Sequence, residues 1–364
     1  MGPTKATPED APDEARQGSW PAGRMRAARI TGVGRTELAE VPVPGPAPGT
    51  ALVRTRRAGI CGTDLEILHG TSAFVRDGRI TFPHVFGHEW YGDVVAYADE
   101  PPPGAPRVGD SVVGRTMVPC GRCPACHAQR AQMCEQLSET GLYGLDGGAA
   151  DYVRMPVHAL TPLPAGFPEP AGALVEPAVS VVEAYTRARL AFDDRIAVVG
   201  TGTMGLLAVQ FAAHHAARVD AVGIDEAGLE LARRCGAAAV HHADAAPEGA
   251  YSLIVEASGA ASAFTGALRL AERGARIAMV GVAQQPVTFH PGELSLQGLD
   301  ILGIQHGVAH YDRTVALFRR GILDAAPLVG HTLPAEAVGE AFALLEEGRS
   351  GPPKILLDFT AERD

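Results

Sequence analysis

The chain has no cluster of Lys or Arg. With 42 acidic against 31 basic residues, its net charge is −11, which argues against a nucleic-acid partner. Aromatic residues make up only 5% and give no sign of a site for a flat or greasy ligand. Cysteines number six in 364 residues, and a chain of this length does not need disulfides to fold. Residues 1–28 lack the apolar stretch of a secretory signal and carry too many acids for a transit peptide. They are expected to form a disordered leader. One segment, Ile196 to Ala213, runs without a charge for long enough to resemble a membrane span. Gly200, Gly202 and Gly205 interrupt it, so it reads instead as strand, tight turn and helix. No membrane partner and a soluble, cytoplasmic protein are the expectation.

What is present falls into two textures, as the length itself suggests. Residues 29–179 are short apolar runs broken by Pro and Gly, the pattern of a barrel-like β domain with long loops. Residues 180–322 alternate strand and helix regularly. Strands are predicted at Ile196–Val199, Ala221–Ile224, Leu253–Glu256, Ile277–Val280 and Ile301–Ile304. Helices are predicted at Met204–His214, Ala227–Cys235, Ala260–Ala271 and Tyr311–Arg319. Such alternation implies a doubly wound parallel sheet, an α/β fold. Residues 323–364 return to the first texture and are expected to pack back on the first domain.

Four cysteines lie within fifteen residues: Cys120-Gly-Arg-Cys123-Pro-Ala-Cys126 and Cys134. Two successive Cys-x-x-Cys steps aim three sulfurs at one point, and Cys134 closes a tetrahedral cage. That is the pattern of a structural zinc site with no open position. His127, inside this lobe, is not needed as a ligand.

Gly200-Thr-Gly202-Thr203-Met204-Gly205 follows a predicted strand and opens a predicted helix. The first glycine permits the turn, the second lets backbone approach a pyrophosphate, and the third lets helix and strand pack closely. Asp225 ends the next predicted strand, 20 residues after Gly205, where an acid binds the ribose 2′-hydroxyl of NAD. Glu226 follows it, so a 2′-phosphate would meet two carboxylates, and NAD is expected over NADP.

Cys61-Gly-Thr63-Asp64 and Gly87-His88-Glu89 each sit in a glycine-bearing loop beside a strand. Together with Ala58-Gly-Ile, the four-cysteine lobe, Glu176-Pro177 and the Gly200–Gly205 loop, in this order, they make the chain resemble the zinc-dependent medium-chain alcohol and polyol dehydrogenases. The resemblance spans Met25 to Phe359 and implies a GroES-like β-barrel domain followed by a Rossmann domain. It further implies that Cys61 and His88 hold a catalytic zinc, giving two zinc ions per chain. Alcohol dehydrogenase sites use two Cys and one His. Here the only spare cysteine, Cys235, ends a Rossmann helix, so a carboxylate completes the site, with Glu89 and Glu176 as candidates.

By the same resemblance, Thr63 accepts the alcohol proton while hydride passes to NAD. The family's usual relay histidine is replaced by Glu66, so Glu66, water or His69 is expected to carry the proton outward. Glu183-Ala184 stands where polyol dehydrogenases usually carry His-Ala, which leans toward the glucose-dehydrogenase-like branch. Ser258, Val282 and Ile304 end later strands and are expected near the coenzyme. The substrate implied is a small hydroxylated molecule: a polyol, sugar, cyclitol or amino alcohol. A homodimer or homotetramer is the common state of such relatives.

Overall fold

The structure, a computed structural model, describes residues 18–283, 285–348 and 351–361. Ordered structure begins earlier than the leader expected over residues 1–28. Residues 1–17 lie outside the described residues, but Gly18 bridges Ala96, and Trp20 donates to the Pro44 carbonyl at 2.9 Å. A strand then runs over Arg24–Gly32, where Met25, Ala27 and Ala28 are buried. The difference arises because Met25, Ala27, Ala28 and Ile30 supply enough apolar surface to seat a strand, although the flanking composition is polar and Pro-rich.

The first domain is built around the long strand Thr50–Ile60. Glu89–Tyr97 pairs along nearly its whole length, Lys354–Asp358 with its C-terminal half, and Tyr152–Pro156 with its N-terminal half. All three pairings are antiparallel. Register is what builds the site. Gly59 stands opposite Glu89, and Ile60 opposite Ile355, so the ends of three strands meet where Cys61 begins the next loop. The return of the C-terminal segment to the first domain is therefore a central strand, with Val329–Pro334 outside it. Two glycines make room for the buried indole of Trp90: a Cβ on Gly114 would lie 2.0 Å from its ring, and one on Gly148 2.2 Å.

The second domain is a six-stranded, wholly parallel sheet. Its order is Ala239–His242, Arg218–Gly223, Arg195–Val199, Tyr251–Glu256, Ala271–Met279, Asp300–Gly303. All five strands read from the sequence are there. The sixth, Ala239–His242, escaped the reading because it is four residues long and half of it is histidine. The expected domain divide at 179/180 falls inside one continuous helix, Ala171–Arg187. This helix packs on both sides of that divide. A single apolar cluster joins its Val175, Val179 and Val182 to Tyr91, Val113 and Leu163 of the barrel, to Ile196 and Val198 of the sheet and to Leu206 of the helix Thr203–Ala213.

Candidate functional site

The coenzyme cradle lies at the C-terminal ends of the parallel strands, where an open α/β sheet leaves a crevice. A cavity of about 550 Å³ is lined there by Gly200, Gly202, Asp225 and Ser258. Gly200 has φ +104, a conformation open to glycine. Gly205 packs so tightly that a Cβ would lie 1.9 Å from the Gly200 carbonyl oxygen. Thr203 and Met204 open the helix Thr203–Ala213, whose Gly202 cap makes no side-chain hydrogen bond to its first-turn N–H groups, the kind of donor an anion site uses. Asp225 caps the next helix, Glu226–Arg234, accepting the Gly228 N–H at 2.7 Å on Oδ1. Its Oδ2 lies 3.4 Å from the Thr201 hydroxyl. Asp244 and Arg269 also line the cavity, and Arg269 is paired with Glu248 at 3.4 Å.

Ser258 donates its hydroxyl to the buried Glu256 at 2.5 Å. Val282 is exposed on the loop beyond the Ala271–Met279 strand. Ile304, expected to line the nicotinamide pocket, turns its side chain inward against Ala184 and Ala278.

The second group of residues converges from three segments. Cys61 caps the helix Gly62–Leu68, and its backbone N–H is returned to Asp64 Oδ2 at 3.0 Å, forming a capping box. The Cys61 Sγ lies 3.1 Å from His88 Nε2. His88, Glu89 and Glu176 each place a ligand atom within 4.8 Å of the others, as do Cys61, Asp64 and His88. Glu89 reaches this point because Gly59 has no side chain; a Cβ there would lie 2.5 Å from its Oε2. The sequence reading missed the partners of the two glutamates. Buried Lys354 pairs with Glu89 and also donates to the Ile60 carbonyl at 3.3 Å. His306 Nε2 lies 3.1 Å from Glu176 Oε1.

The electrostatics ask for a cation. Cys61, Asp64, Glu89 and Glu176 are gathered about His88, with Lys354 pairing Glu89, and buried charge is costly unless paired. Burial pushes the Cys61 thiol up, and His88 only partly offsets this. Burial would lower His88, yet Cys61 and Asp64 together drive it well above its ordinary value. Burial raises Glu89 against the pull of Lys354. Glu176 is carried below the usual carboxylate value, because the His306 hydrogen bond and the charge on His88 outweigh its burial. His88 Nδ1 and Asp64 Oδ1 are buried without a hydrogen-bond partner, 3.6 Å apart. A thiol on one side of the His88 imidazole and two glutamates on the other, with Asp64 behind the ring, are the donor types of a zinc site with one open position.

The four-cysteine lobe also assembles. Cys120, Cys123, Cys126 and Cys134 place their sulfurs within 4.8 Å of one another, and all are free thiols. Backbone N–H groups of Cys126 and Glu135 pull the Cys123 thiol down to about 6, as a thiolate ligand needs. His127 ends the short turn Pro124–His127 and is not among the four ligands.

Thr63 and Glu66 lie three residues apart on the Gly62–Leu68 helix, next to Cys61. His69, the alternative proton carrier, is engaged with Glu346. Glu183 is a helix residue held by His310 at 2.7 Å. The remaining histidine pairs serve local structure. His214 and His215 bond to carbonyls one turn back, and His241 faces Asp220 at 3.4 Å. Cys235 is buried, with the Gln210 amide 3.6 Å from its sulfur. Among the described residues, no helix is long and apolar enough to cross a membrane.

Comparison with known proteins agrees with this geometry. Residues 47–165 match the alcohol dehydrogenase GroES-like domain, and residues 203–319 match the zinc-binding dehydrogenase domain. The L-threonine 3-dehydrogenase of Symbiobacterium thermophilum is 31% identical over 93% of this chain and 100% of its own. That of Bacillus subtilis (strain 168) is 30% identical over 92% of this chain and 99% of its own. Among solved structures, alcohol dehydrogenase TADH from Thermus sp. ATN1 superposes with a TM-score of 0.83 at 29% identity. A chain from Sinorhizobium meliloti 1021, solved bound to NADP, gives 0.84 at 26%. Each alignment covers 92% of this chain and 99% of the other.

Proposed function

Because the chain belongs to the zinc-dependent medium-chain alcohol dehydrogenase family, we propose that it oxidises a secondary alcohol of a polyol, sugar, cyclitol or amino alcohol to a ketone, with NAD as acceptor. The observation that carries this reading is the meeting of two groups at His88, Cys61–Asp64–His88 and His88–Glu89–Glu176, in a chain whose second domain presents the Gly200–Gly205 cradle. Zinc, when bound, supplies a Lewis acid that makes a hydroxyl acidic near neutral pH. The chain's own residues do the rest. Cys61, His88 and one glutamate fix the ion. Thr63 accepts the alcohol proton, and Glu66, on the same helix face, passes it toward solvent. The Gly200–Gly205 turn holds the pyrophosphate and Asp225 the ribose, with Asp225, Glu226 and Asp244 setting the preference for NAD over NADP. A cleft between the two domains would orient the carbinol hydrogen toward a bound nicotinamide and exclude water.

Between the two carboxylates, Glu176 suits the ion better. Glu89 is already balanced by the full charge of Lys354, whereas Glu176 is met by the imidazoles of His306 and His88. The similarity to L-threonine 3-dehydrogenases favours a second reading, a β-hydroxy amino acid as the alcohol. NAD reduction measured with polyols, aldoses, cyclitols, amino alcohols and L-threonine decides between them. Turnover confined to L-threonine would replace the first reading with the second. A protein that binds one zinc per chain and reduces NAD with none of these would be a binding module instead.

A further inference from the structure

The loop leaving the Asp300–Gly303 strand folds back along one face of the Ala171–Arg187 helix. His306 meets Glu176, and His310 meets Glu183. Between them Gly307 lies so close to the Val179 carbonyl that a Cβ would stand 1.9 Å from its oxygen. Positions 176, 179 and 183 form one stripe of the helix, so the loop is laid along it at three points. The next anchor is Tyr311, fully buried, whose hydroxyl accepts the Thr116 N–H at 3.0 Å. Thr116 in turn donates its hydroxyl to the His88 carbonyl at 3.1 Å. The segment thus reaches the ligands from two sides, although it belongs to the coenzyme-binding domain.

His306 is 7% exposed, and its Nδ1 is buried without a partner. A bare ring nitrogen there costs less than an orphaned N–H, so the tautomer with hydrogen on Nε2, donating to Glu176, is the one the surroundings favour. We infer that His306 is a positioning residue for the catalytic metal: by donating to Oε1 of Glu176 it leaves the second carboxylate oxygen for the ion beside Cys61 and His88. This rests on the proposed zinc chemistry of the same site. It adds that a residue of the coenzyme domain sets how firmly the other domain holds its metal, as outer-shell partners of metal ligands do.

The test is zinc retention in His306→Phe, His306→Gln and His306→Asn, full-length and zinc-loaded. A Gln amide can place an N–H where Nε2 stands; an Asn amide stops short, near Nδ1. Zinc transfer to the chelating dye 4-(2-pyridylazo)resorcinol is followed, with the four-cysteine site as internal reference. The visible spectrum after cobalt exchange reports the Cys61 site. Expected is a weakening of one site by about 10–100-fold in the Phe and Asn variants, most of it restored in the Gln variant. The cobalt spectrum should change in parallel, with the reference site and NADH affinity unaltered. Wild-type retention in all three variants overturns the inference, as does equal loss in Gln and Asn. Should the Phe variant fail to fold, the Gln–Asn contrast alone decides. A wild-type protein holding one zinc per chain would instead overturn the zinc chemistry on which the inference stands.

Discussion

Replacing Tyr311 with Phe removes one oxygen atom from a fully buried position. The hydroxyl accepts the N–H of Thr116, itself buried, across the border between the two domains. Phe fills the same space, so no cavity opens and the loss reduces to hydrogen bonding. The Thr116 N–H loses its acceptor in a buried position, and an orphaned buried donor costs about 1–3 kcal/mol. Unfolding entropy near 2.1 cal/mol/K per residue amounts to roughly 0.8 kcal/mol/K for this chain, so the midpoint should fall by about 1.3–4 °C. Tyr185→Phe is the matched control. Its hydroxyl donates to the Ala208 carbonyl at 2.8 Å, also fully buried. Ala208 lies inside the Thr203–Ala213 helix, where that carbonyl also serves the N–H four residues on. Losing one of two donors to an oxygen costs less than losing the acceptor of a nitrogen, about 0.5–1.5 kcal/mol. Calorimetric midpoints of the two zinc-loaded variants make the comparison. A Tyr185→Phe loss equal to or larger than that of Tyr311→Phe would refute the reasoning.

Gly205→Ala sets a methyl against the Gly200 carbonyl. Strain of about 1–3 kcal/mol should weaken NADH binding by roughly 5- to 150-fold in a fluorescence titration, and an unchanged Kd would refute the cradle. Asp225→Ser keeps a cap for the Glu226–Arg234 helix but removes the carboxylate, so the ratio of kcat/KM for NAD over NADP should fall with little change in melting. A wild type equally efficient with NADP would contradict the role given to Asp225. Glu66→Gln should alter the pH profile of alcohol oxidation, and an unaltered profile removes Glu66 from proton transfer. At Asp358, burial is outweighed by hydrogen bonds from Thr360 and the charge of Arg57, which together hold its carboxyl below 3.8. The unfolded chain therefore binds the extra proton, and this stabilisation is present above pH 3.8 and lost as pH falls through the folded value. Asp358→Asn should flatten the acid limb of a plot of melting temperature against pH, and an identical limb would rule Asp358 out.

The sequence made the parallel sheet legible because each strand is an apolar run closed by a turn and followed by a helix of regular period. It made the four-cysteine lobe legible because the ligands are local, within fifteen residues. What it could not display were partners fixed by register and by long loops. Lys354 meets Glu89 only because Lys354–Asp358 and Glu89–Tyr97 flank the same strand on opposite sides. A lysine heading an apolar strand was the available sign. His306 and His310 reach Glu176 and Glu183 from more than 120 residues away. Their spacing of four, just past a strand end, hints at a site without saying which acids they meet. Asp64, by contrast, was visible in principle: three residues after a helix-capping Cys61, it stands where a capping-box acid belongs.

The helix that straddles the expected divide has a consequence for how the molecule comes apart. Its valines bury themselves in barrel and sheet alike, so severing the chain at 179/180 would split one helix and strip apolar surface from both pieces. Neither half would be a finished object. Melting should accordingly register as a single cooperative event, with the metal crevice and the coenzyme cradle lost together.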